Sequence, residues 1–277
     1  MNDLVKIFVA CHKPDACWCD DVYTPIHVGR AISRFKNEMS GIIGDDTGDN
    51  ISEKNPYYCE LTAQYWMWKN VHDVEYVGLA HYRRYFATKL SSVNIKSIMK
   101  HACILLAEPI CEKFSVAHNL AYSLTREDVY IFISCIRQYT PEYYQAACKV
   151  LSQNKYTPYN MFVMRKADFD KYASWQFGLL AEVEKQIRFS PYTRLKRILG
   201  YFAEVMFAIY CEKNHINVKY ESVVDLDGKK ILKRKHNIFR KIYIQVAFRF
   251  FNYRHLFWDD SAVKVGLKND GIELYMG

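Results

Sequence analysis

Residues 76–86 read YVGLAHYRRYF, and the change of character within this stretch decides the fold. From Glu75 to Ala80 the chain is apolar and of strand length, and it reads as a buried strand. His81, Tyr82, Arg83 and Arg84 then crowd the end of that strand. Alternation beyond a strand cannot send both guanidinium groups to solvent on one face. A planar, permanently charged fork also suits a phosphate better than an ammonium group does. The competing reading is a solvated or salt-bridged arginine pair just past a strand.

Working outward, Lys6–Ala10 (KIFVA) reads as a second buried strand that opens into the breaker-containing loop CHKPD. A loop after the first strand is a common ligand position in α/β folds. Residues 41–56, GIIGDDTGDNISEKNP, read as loop, and Asn55-Pro56 as the N-cap and first position of a helix ending near Asn70. CILLAE is a further strand, followed by helices near Arg126–Gln138 and Glu142–Gln153. Pro158–Arg165 reads as a strand, and KADFDKYASWQFGLLAEVEKQI and TRLKRILGYFAEVMFAIYCEKN as two long helices. VKYESVVDLDGKK reads as a hairpin with Asp227-Gly228 at its turn. Strands alternating with helices predict an α/β protein, a sheet covered by helices on both faces.

A chain of 277 residues, 50% hydrophobic with 11 Gly and 7 Pro, has enough apolar content for a substantial core. Its 22 Tyr and 16 Phe offer rings and hydroxyls of the kind that sugars and bases engage. Nine cysteines (Cys11, Cys17, Cys19, Cys59, Cys103, Cys111, Cys135, Cys148 and Cys211) are odd in number, scattered and never spaced CxxC. Neither a disulfide framework nor a structural zinc site is expected, and a reducing, cytoplasmic compartment is. MNDLVKIFVACHKP is too short in its apolar run for a signal peptide, and no stretch approaches the roughly 18 apolar residues of a membrane span.

The formal charge of +8 is concentrated near one end. Lys229, Lys230, Lys233, Arg234, Lys235, Arg240, Lys241, Arg249 and Arg254 fall in a segment without Asp or Glu. A boundary near residue 228 follows, with a main domain over 1–228 and a basic aromatic extension over 229–277. Within the extension Phe239, Tyr243, Val246, Phe250 and Tyr253 recur at helical spacing among Lys and Arg, which suits an anionic membrane surface or packing on the domain. Nucleic acid is disfavoured as a partner, because the excess lies in one apolar-rich segment with no binding motif.

Two further groups could carry chemistry. Asp45, Asp46, Asp49 and Glu53 supply oxygens for a divalent cation or for ribose and sugar hydroxyls, although without the spacing of an EF-hand; a solvated acidic turn is the alternative. Arg197, Tyr201 and Glu204 share one face of a helix at offsets of four and seven. A carboxylate held by an arginine and facing a cleft is a general base; an ordinary surface stripe is the alternative.

The ordered segments FVACHKP, YTPIHVG, DDTGDNISEKN, CELTAQYWMWKN, VGLAHYRRYF, YNMFVMRKADFDKY and RILGYFAE resemble a family of bacterial capsule, exopolysaccharide and O-antigen glycosyltransferases long catalogued as a domain of unknown function. The resemblance runs from about Lys6 to Lys213. It implies a GT-A-like nucleotide-diphosphosugar transferase fold, a mixed central sheet flanked by helices, here with a basic amphipathic C-terminal extension. It also implies transfer of a hexosyl unit, galactosyl or galactofuranosyl among the candidates, from a UDP-sugar to a saccharide or lipid-linked acceptor. The setting implied is peripheral, on the inner face of the cytoplasmic membrane.

Carried onto this sequence, the resemblance places Ala10, His12 and Lys13 beside the nucleotide, and Asp45, Asp46, Asp49 and Asn50 on ribose or donor sugar. Asn160 and Met161 would line the donor sugar, His81 and Tyr82 would join the donor site, and Arg197 and Tyr201 would support the acceptor. Glu204 would be the base of an inverting reaction. Where GT-A enzymes usually carry an Asp-x-Asp metal element, this chain has His81-Tyr82-Arg83-Arg84. Either Mn²⁺ or Mg²⁺ sits against the Asp45–Asp49 loop, or Arg83 and Arg84 neutralise the leaving UDP without an ion. The other class of function is a non-catalytic nucleotide- or glycan-binding module of a polysaccharide synthase complex.

Overall fold

The apolar run around Lys6–Ala10 extends in both directions to make the strand Asp3–Cys11, whose residues from Ile7 to Cys11 are all buried. The computed structural model describes residues 3–231, 238–252 and 260–275. In chain order the first elements are β1 (Asp3–Cys11), β2 (Tyr23–His27), β3 (Ile43–Gly44), α1 (Asn55–Tyr58), α2 (Leu61–Asn70), β4 (Val74–His81), β5 (Tyr85–Phe86), α3 (Ile95–Ile98) and β6 (Ile104–Ala107). There follow β7 (Ile110–Cys111), α4 (Val116–Ser123), α5 (Arg126–Tyr139), α6 (Tyr144–Ser152), β8 (Lys155–Tyr156), β9 (Phe162–Arg165) and α7 (Lys166–Gln186). The last are α8 (Thr193–Lys196), α9 (Ile198–Asn214), β10 (Val218–Glu221), β11 (Val223–Val224), α10 (Ile238–Asn252) and α11 (Ser261–Asn269).

The chain forms two compact units that interleave in sequence. One comprises Met1–Glu108, Pro158–Trp175 and Ile216–Lys233; the other comprises Pro109–Thr157, Gln176–His215 and Arg234–Gly277. Lys229 and Lys230, at the start of the basic segment, fall in the first unit, and the described residues of that segment from Ile238 onward fall in the second. Tyr253, Lys233–Lys235, Arg254 and His255 from that segment lie outside the described residues.

The first unit is built on a seven-stranded sheet in the order β10-β6-β9-β4-β1-β2-β3. Only β9 runs antiparallel to its neighbours, so the architecture is α/β with a mixed, mostly parallel sheet. Both faces are covered, which is why β1 and β4 read as continuous apolar runs rather than alternating ones. Phe8 meets Trp66 of α2 edge-on at 5.7 Å, and Phe162 stacks on Phe169 of α7 at 5.2 Å. Val5, Ile7, Val9, Tyr23, Tyr85, Ile95 and Met99 form one buried cluster.

Pro25 stands inside β2, where sequence rules argue against a strand. Its partner on β1 is Val9, and the two-residue β3 pairs only with Ile26 and His27, so no β3 residue pairs with the missing N–H. Gly78 lies at the centre of β4. A Cβ there would sit 2.7 Å from the Phe162 carbonyl oxygen and 2.7 Å from a Val163 methyl, a backbone clash that cannot relax cheaply. Gly78→Ala is expected to cost about 1–3 kcal/mol; an unchanged melting temperature would show that β4 and β9 can part freely.

The reading of residues 55–70 as one helix is corrected by a break at Cys59, whose φ is 54°. The Asn55 side-chain amide donates to the Cys59 carbonyl at 2.8 Å and closes the first short helix on itself. The expected hairpin over residues 218–230 divides as well. β10 joins the main sheet parallel to β6, while β11 pairs antiparallel with β5. The Asp227-Gly228 turn does form, with Gly228 at φ 77° and a bridge from Val224 to Lys230.

The second unit is mainly helical. Phe132 of α5 and Phe202 of α9 stack nearly parallel at 4.3 Å. A capping box at Thr125 and Asp128 starts α5, and burial raises the Asp128 carboxyl above its ordinary value. The Asp260 side chain caps α11 and pairs with Arg126, and the Asp260 backbone N–H donates to the Tyr130 hydroxyl at 2.9 Å. The expected long helix from Thr193 is interrupted at Arg197, between α8 and α9. No helix among the described residues is long and apolar enough to cross a membrane, and all nine cysteines are free thiols.

His27, fully buried at the end of β2, adds a pH signature. Its Nε2 meets the Ser33 hydroxyl at 2.8 Å, and burial holds its pKa below the ordinary 6.5. The unfolded chain therefore takes up this proton at a higher pH than the folded one. Stability from this group is complete above pH 6.5 and declines as the pH falls from 6.5 toward the lower folded value. Urea midpoints measured from pH 7.5 downward should show a shallower decline in His27→Gln than in the native chain.

Candidate functional site

After β1 the chain builds outward through β2 and β3, whereas β4 lies on the other side of β1. The carboxyl ends of β1 and β4 thus flank a topological switch point, the place where open α/β sheets leave a crevice for ligands. His12 and Lys13 leave β1 at this edge, and His81–Arg84 end β4 there. Because β9 is antiparallel to β4, with Leu79 opposite Phe162, it is the start of β9 that arrives at the same edge. Tyr159, Asn160 and Met161 precede it.

The HYRR segment is a tight turn. The His81 and Arg84 backbones exchange hydrogen bonds of 3.3 and 3.0 Å, and the Tyr82 N–H donates to the Ala10 carbonyl at 3.3 Å. This turn, not strand alternation, separates the guanidinium groups. Arg83 donates through Nε and Nη2 to Asp15 Oδ2 at 3.2 and 2.8 Å and lies over the Tyr82 ring. Arg84 lies 4.4 Å over the Tyr159 ring. His81 Nε2 donates to the Tyr159 carbonyl at 2.6 Å, and His12 meets the edge of Tyr82 at 5.4 Å. The hydrogen bonds from Arg83 hold the Asp15 carboxyl below its usual range and raise the Arg83 pKa in turn. A carboxylate therefore occupies one exposed arginine fork at the switch point.

Backbone strain gathers at the same edge. Tyr159 and Asn160 take φ values of 83° and 50° in succession, and Cys59 takes 54°. Such conformations cost about 1–3 kcal/mol each and persist only where surroundings enforce them. Here His81 holds the Tyr159 carbonyl, and the Asn160 amide donates to Glu60 Oε1 at 2.7 Å. Asn160 and Met161 are both buried, Met161 within the apolar cluster, and Ala10 is buried with its carbonyl engaged by Tyr82.

The acidic loop follows β3, at the outer side of the same sheet edge. Asp45 is fully buried and accepts from the Gly29 and Arg30 N–H groups and the Ser52 hydroxyl, so it fastens the loop after β2. Asp46 pairs with Arg30 and Lys36. Asp49 accepts from the Tyr65 hydroxyl and pairs with Lys69, while Asn50 closes a turn onto the Gly48 carbonyl. These carboxylates are engaged with protein groups and do not make a ligand set. No group of three or more His, Cys, Asp or Glu side chains able to hold a metal ion occurs among the described residues.

Glu204 belongs to the second unit. With Tyr201 and Val205 of α9, Asn119 and Ser123 of α4, and Tyr156 of β8, it lines a pocket of about 120 Å³. Arg197 sits over the Tyr201 ring at 5.9 Å. A carboxylate, two phenols, an amide and a hydroxyl give this pocket the donor and acceptor groups that a sugar hydroxyl engages.

Sequence reasoning missed Asp15, Glu60 and Tyr159. Asp15 follows the Lys13-Pro14 breaker, a signal for a turn but not for its distant partner Arg83. Nothing in a tyrosine announces a positive φ.

The profile of a domain of unknown function, DUF4422, matches residues 6–215. This chain belongs to the DUF4422 family. Every sheet-edge residue described above lies within the DUF4422 match. No curated protein matches the chain. Among solved structures, the apo WbbM bifunctional glycosyltransferase is similar at a TM-score of 0.71 and 32% identity. The similarity covers 80% of this DUF4422 chain and 45% of the WbbM chain, so the chain spans less than half the length of that neighbour.

Proposed function

We propose that this DUF4422 protein is a glycosyltransferase that moves a hexosyl unit, galactosyl or galactofuranosyl among the candidates, from a UDP-sugar to a saccharide or lipid-linked acceptor. One observation carries the reading: two arginine forks stand at the switch point of an α/β sheet, where a diphosphate would be bound. The similarity to WbbM, a bifunctional glycosyltransferase, supports the same class.

In this reading Arg83 and Arg84 bind the diphosphate and stabilise the charge that grows on UDP as the sugar C1–O bond breaks. His12, Lys13, His81 and Tyr82 border the nucleotide, and Asn160 and Met161 support the donor-sugar wall. Asp45 is set aside as a structural fastener, leaving Asp46, Asp49 and Asn50 as the polar groups of the acidic loop. Glu204 takes the proton of the acceptor hydroxyl as its oxygen attacks C1, which gives inversion, with Tyr201 and Arg197 in support. The role of Glu204 rests on the family resemblance and on the polar pocket it lines.

UDP binding followed by calorimetry, with and without Mn²⁺, tests the reading. Binding at micromolar to millimolar strength is expected, and its absence would refute the donor site. A second reading, a non-catalytic nucleotide-binding module, predicts UDP binding without release of UDP from any UDP-hexose in the presence of acceptor. The Asp15–Arg83 pair adds a result specific to this site. Asp15→Asn removes the carboxylate that competes for the fork, and should tighten UDP binding about two- to fivefold, the scale of exposed ion pairs. Weaker binding in that variant would mean that Asp15 orders the site instead of competing for it.

A further inference from the structure

α10 carries two apolar faces. Ile244 and Ala247 are buried, and they seat the helix within its unit. Phe239, Ile242, Tyr243, Val246 and Phe250 point the other way, each more than half exposed, from 54% at Tyr243 to 79% at Phe250. At roughly 100° per residue these five span about 100° of the helix surface. Such a patch of large side chains on one helix marks a contact surface, not ordinary scatter.

The flanks identify what is contacted. On the same projection Arg249 lies about 20° outside one border of the stripe and Arg240 about 60° outside the other, and both are exposed. Lys113 donates to the Tyr243 hydroxyl at 3.0 Å and adds a third cation beside it. No Asp or Glu occurs in α10. Aromatic and branched side chains with one arginine to either side and Lys113 beside Tyr243 match the boundary of an anionic bilayer, where rings enter the acyl edge and cations meet the headgroups.

We infer that α10 lies in the plane of an anionic membrane, with Phe239, Ile242, Val246 and Phe250 inserted and Arg240, Arg249 and Lys113 on lipid headgroups. This surface goes beyond the transferase reading and does not depend on it. A truncation is a poor test, because residues after 233 complete the helical unit through Asp260 and α11. Point substitutions on the exposed face leave that anchoring intact.

The experiment is flotation of the full chain with vesicles of phosphatidylcholine containing phosphatidylglycerol, and of phosphatidylcholine alone. The native chain should float with the anionic vesicles, and less so as salt rises. Phe239→Ser/Val246→Ser/Phe250→Ser should weaken binding by more than about tenfold. Arg240→Gln/Arg249→Gln, which leaves the apolar face untouched, should weaken it by about fivefold per cation, or about twenty-five-fold. Absence of flotation by the native chain, or equal flotation by the arginine variant, overturns the inference. So does a concentration-dependent dimer of the native chain that the serine variant abolishes, since the face would then be covered by a second copy. UDP binding measured on the same samples separates this outcome from failure of the donor site.

Discussion

Glu204→Gln should lower hexosyl transfer by about 10²- to 10⁴-fold, the usual range for loss of a general base, while leaving UDP binding unchanged. Glutamine keeps the shape of the side chain and its place beside Tyr201, Asn119 and Ser123, so the pocket should persist. What disappears is the carboxylate charge, and with it the basicity that takes the acceptor proton. Single-turnover rates with a saturating UDP-hexose would measure the chemical step, and a parallel UDP titration would report the donor site. A fall of less than threefold would remove Glu204 from the reaction. A fall accompanied by lost UDP affinity would make it a structural residue instead.

Arg84→Ala should weaken UDP binding by about 10- to 100-fold, the value of hydrogen bonds to a charged group. Arg83→Ala should weaken it less, because Arg83 must first leave Asp15. Arg84→Lys should recover only part of the loss, since an ammonium is a point charge where the guanidinium is a fork. The ring of Tyr159 beneath Arg84 sharpens the test. Tyr159→Leu would leave the charge in place but remove its stacking platform, and a weaker effect than Arg84→Ala is expected. Unchanged affinity in both arginine variants would move the diphosphate elsewhere on the sheet edge.

The α/β class was legible because β1 and β4 are long, buried on both faces and continuously apolar. The Asp227-Gly228 turn followed from turn chemistry, whereas Asn55, expected as an N-cap, is instead the first residue of α1, with Lys54 at the cap position. The short strands were not legible. β3, β5, β7, β8 and β11 have two residues each, too few for any period, and their pairing is set by distant partners. β2 was hidden by Pro25, which is tolerated because β3 pairs only with the residues after it. In the candidate site, the Arg83-Arg84 signal was visible in the sequence because two cations at the end of an apolar run are unusual. Asp45 misled for a related reason: an acidic loop advertises ligands, whereas the buried donors that occupy Asp45 come from residues 29, 30 and 52. Tyr159 and Glu60 escaped because their roles arise only when β9 is set antiparallel beside β4.

The interleaving of the two units has a consequence for synthesis of the chain. β6 lies at residues 104–107, but its outer neighbour β10 is made more than a hundred residues later, and β5 waits longer still for β11. Throughout that interval the growing polypeptide presents an uncovered strand edge to its surroundings, the kind of edge that recruits other chains. The sheet can close only after the sequence that forms the helical α4–α9 segment has left the ribosome. Conditions that slow elongation between residues 108 and 218 should therefore favour aggregation of the nascent protein, and a holdase chaperone present during translation should raise its yield.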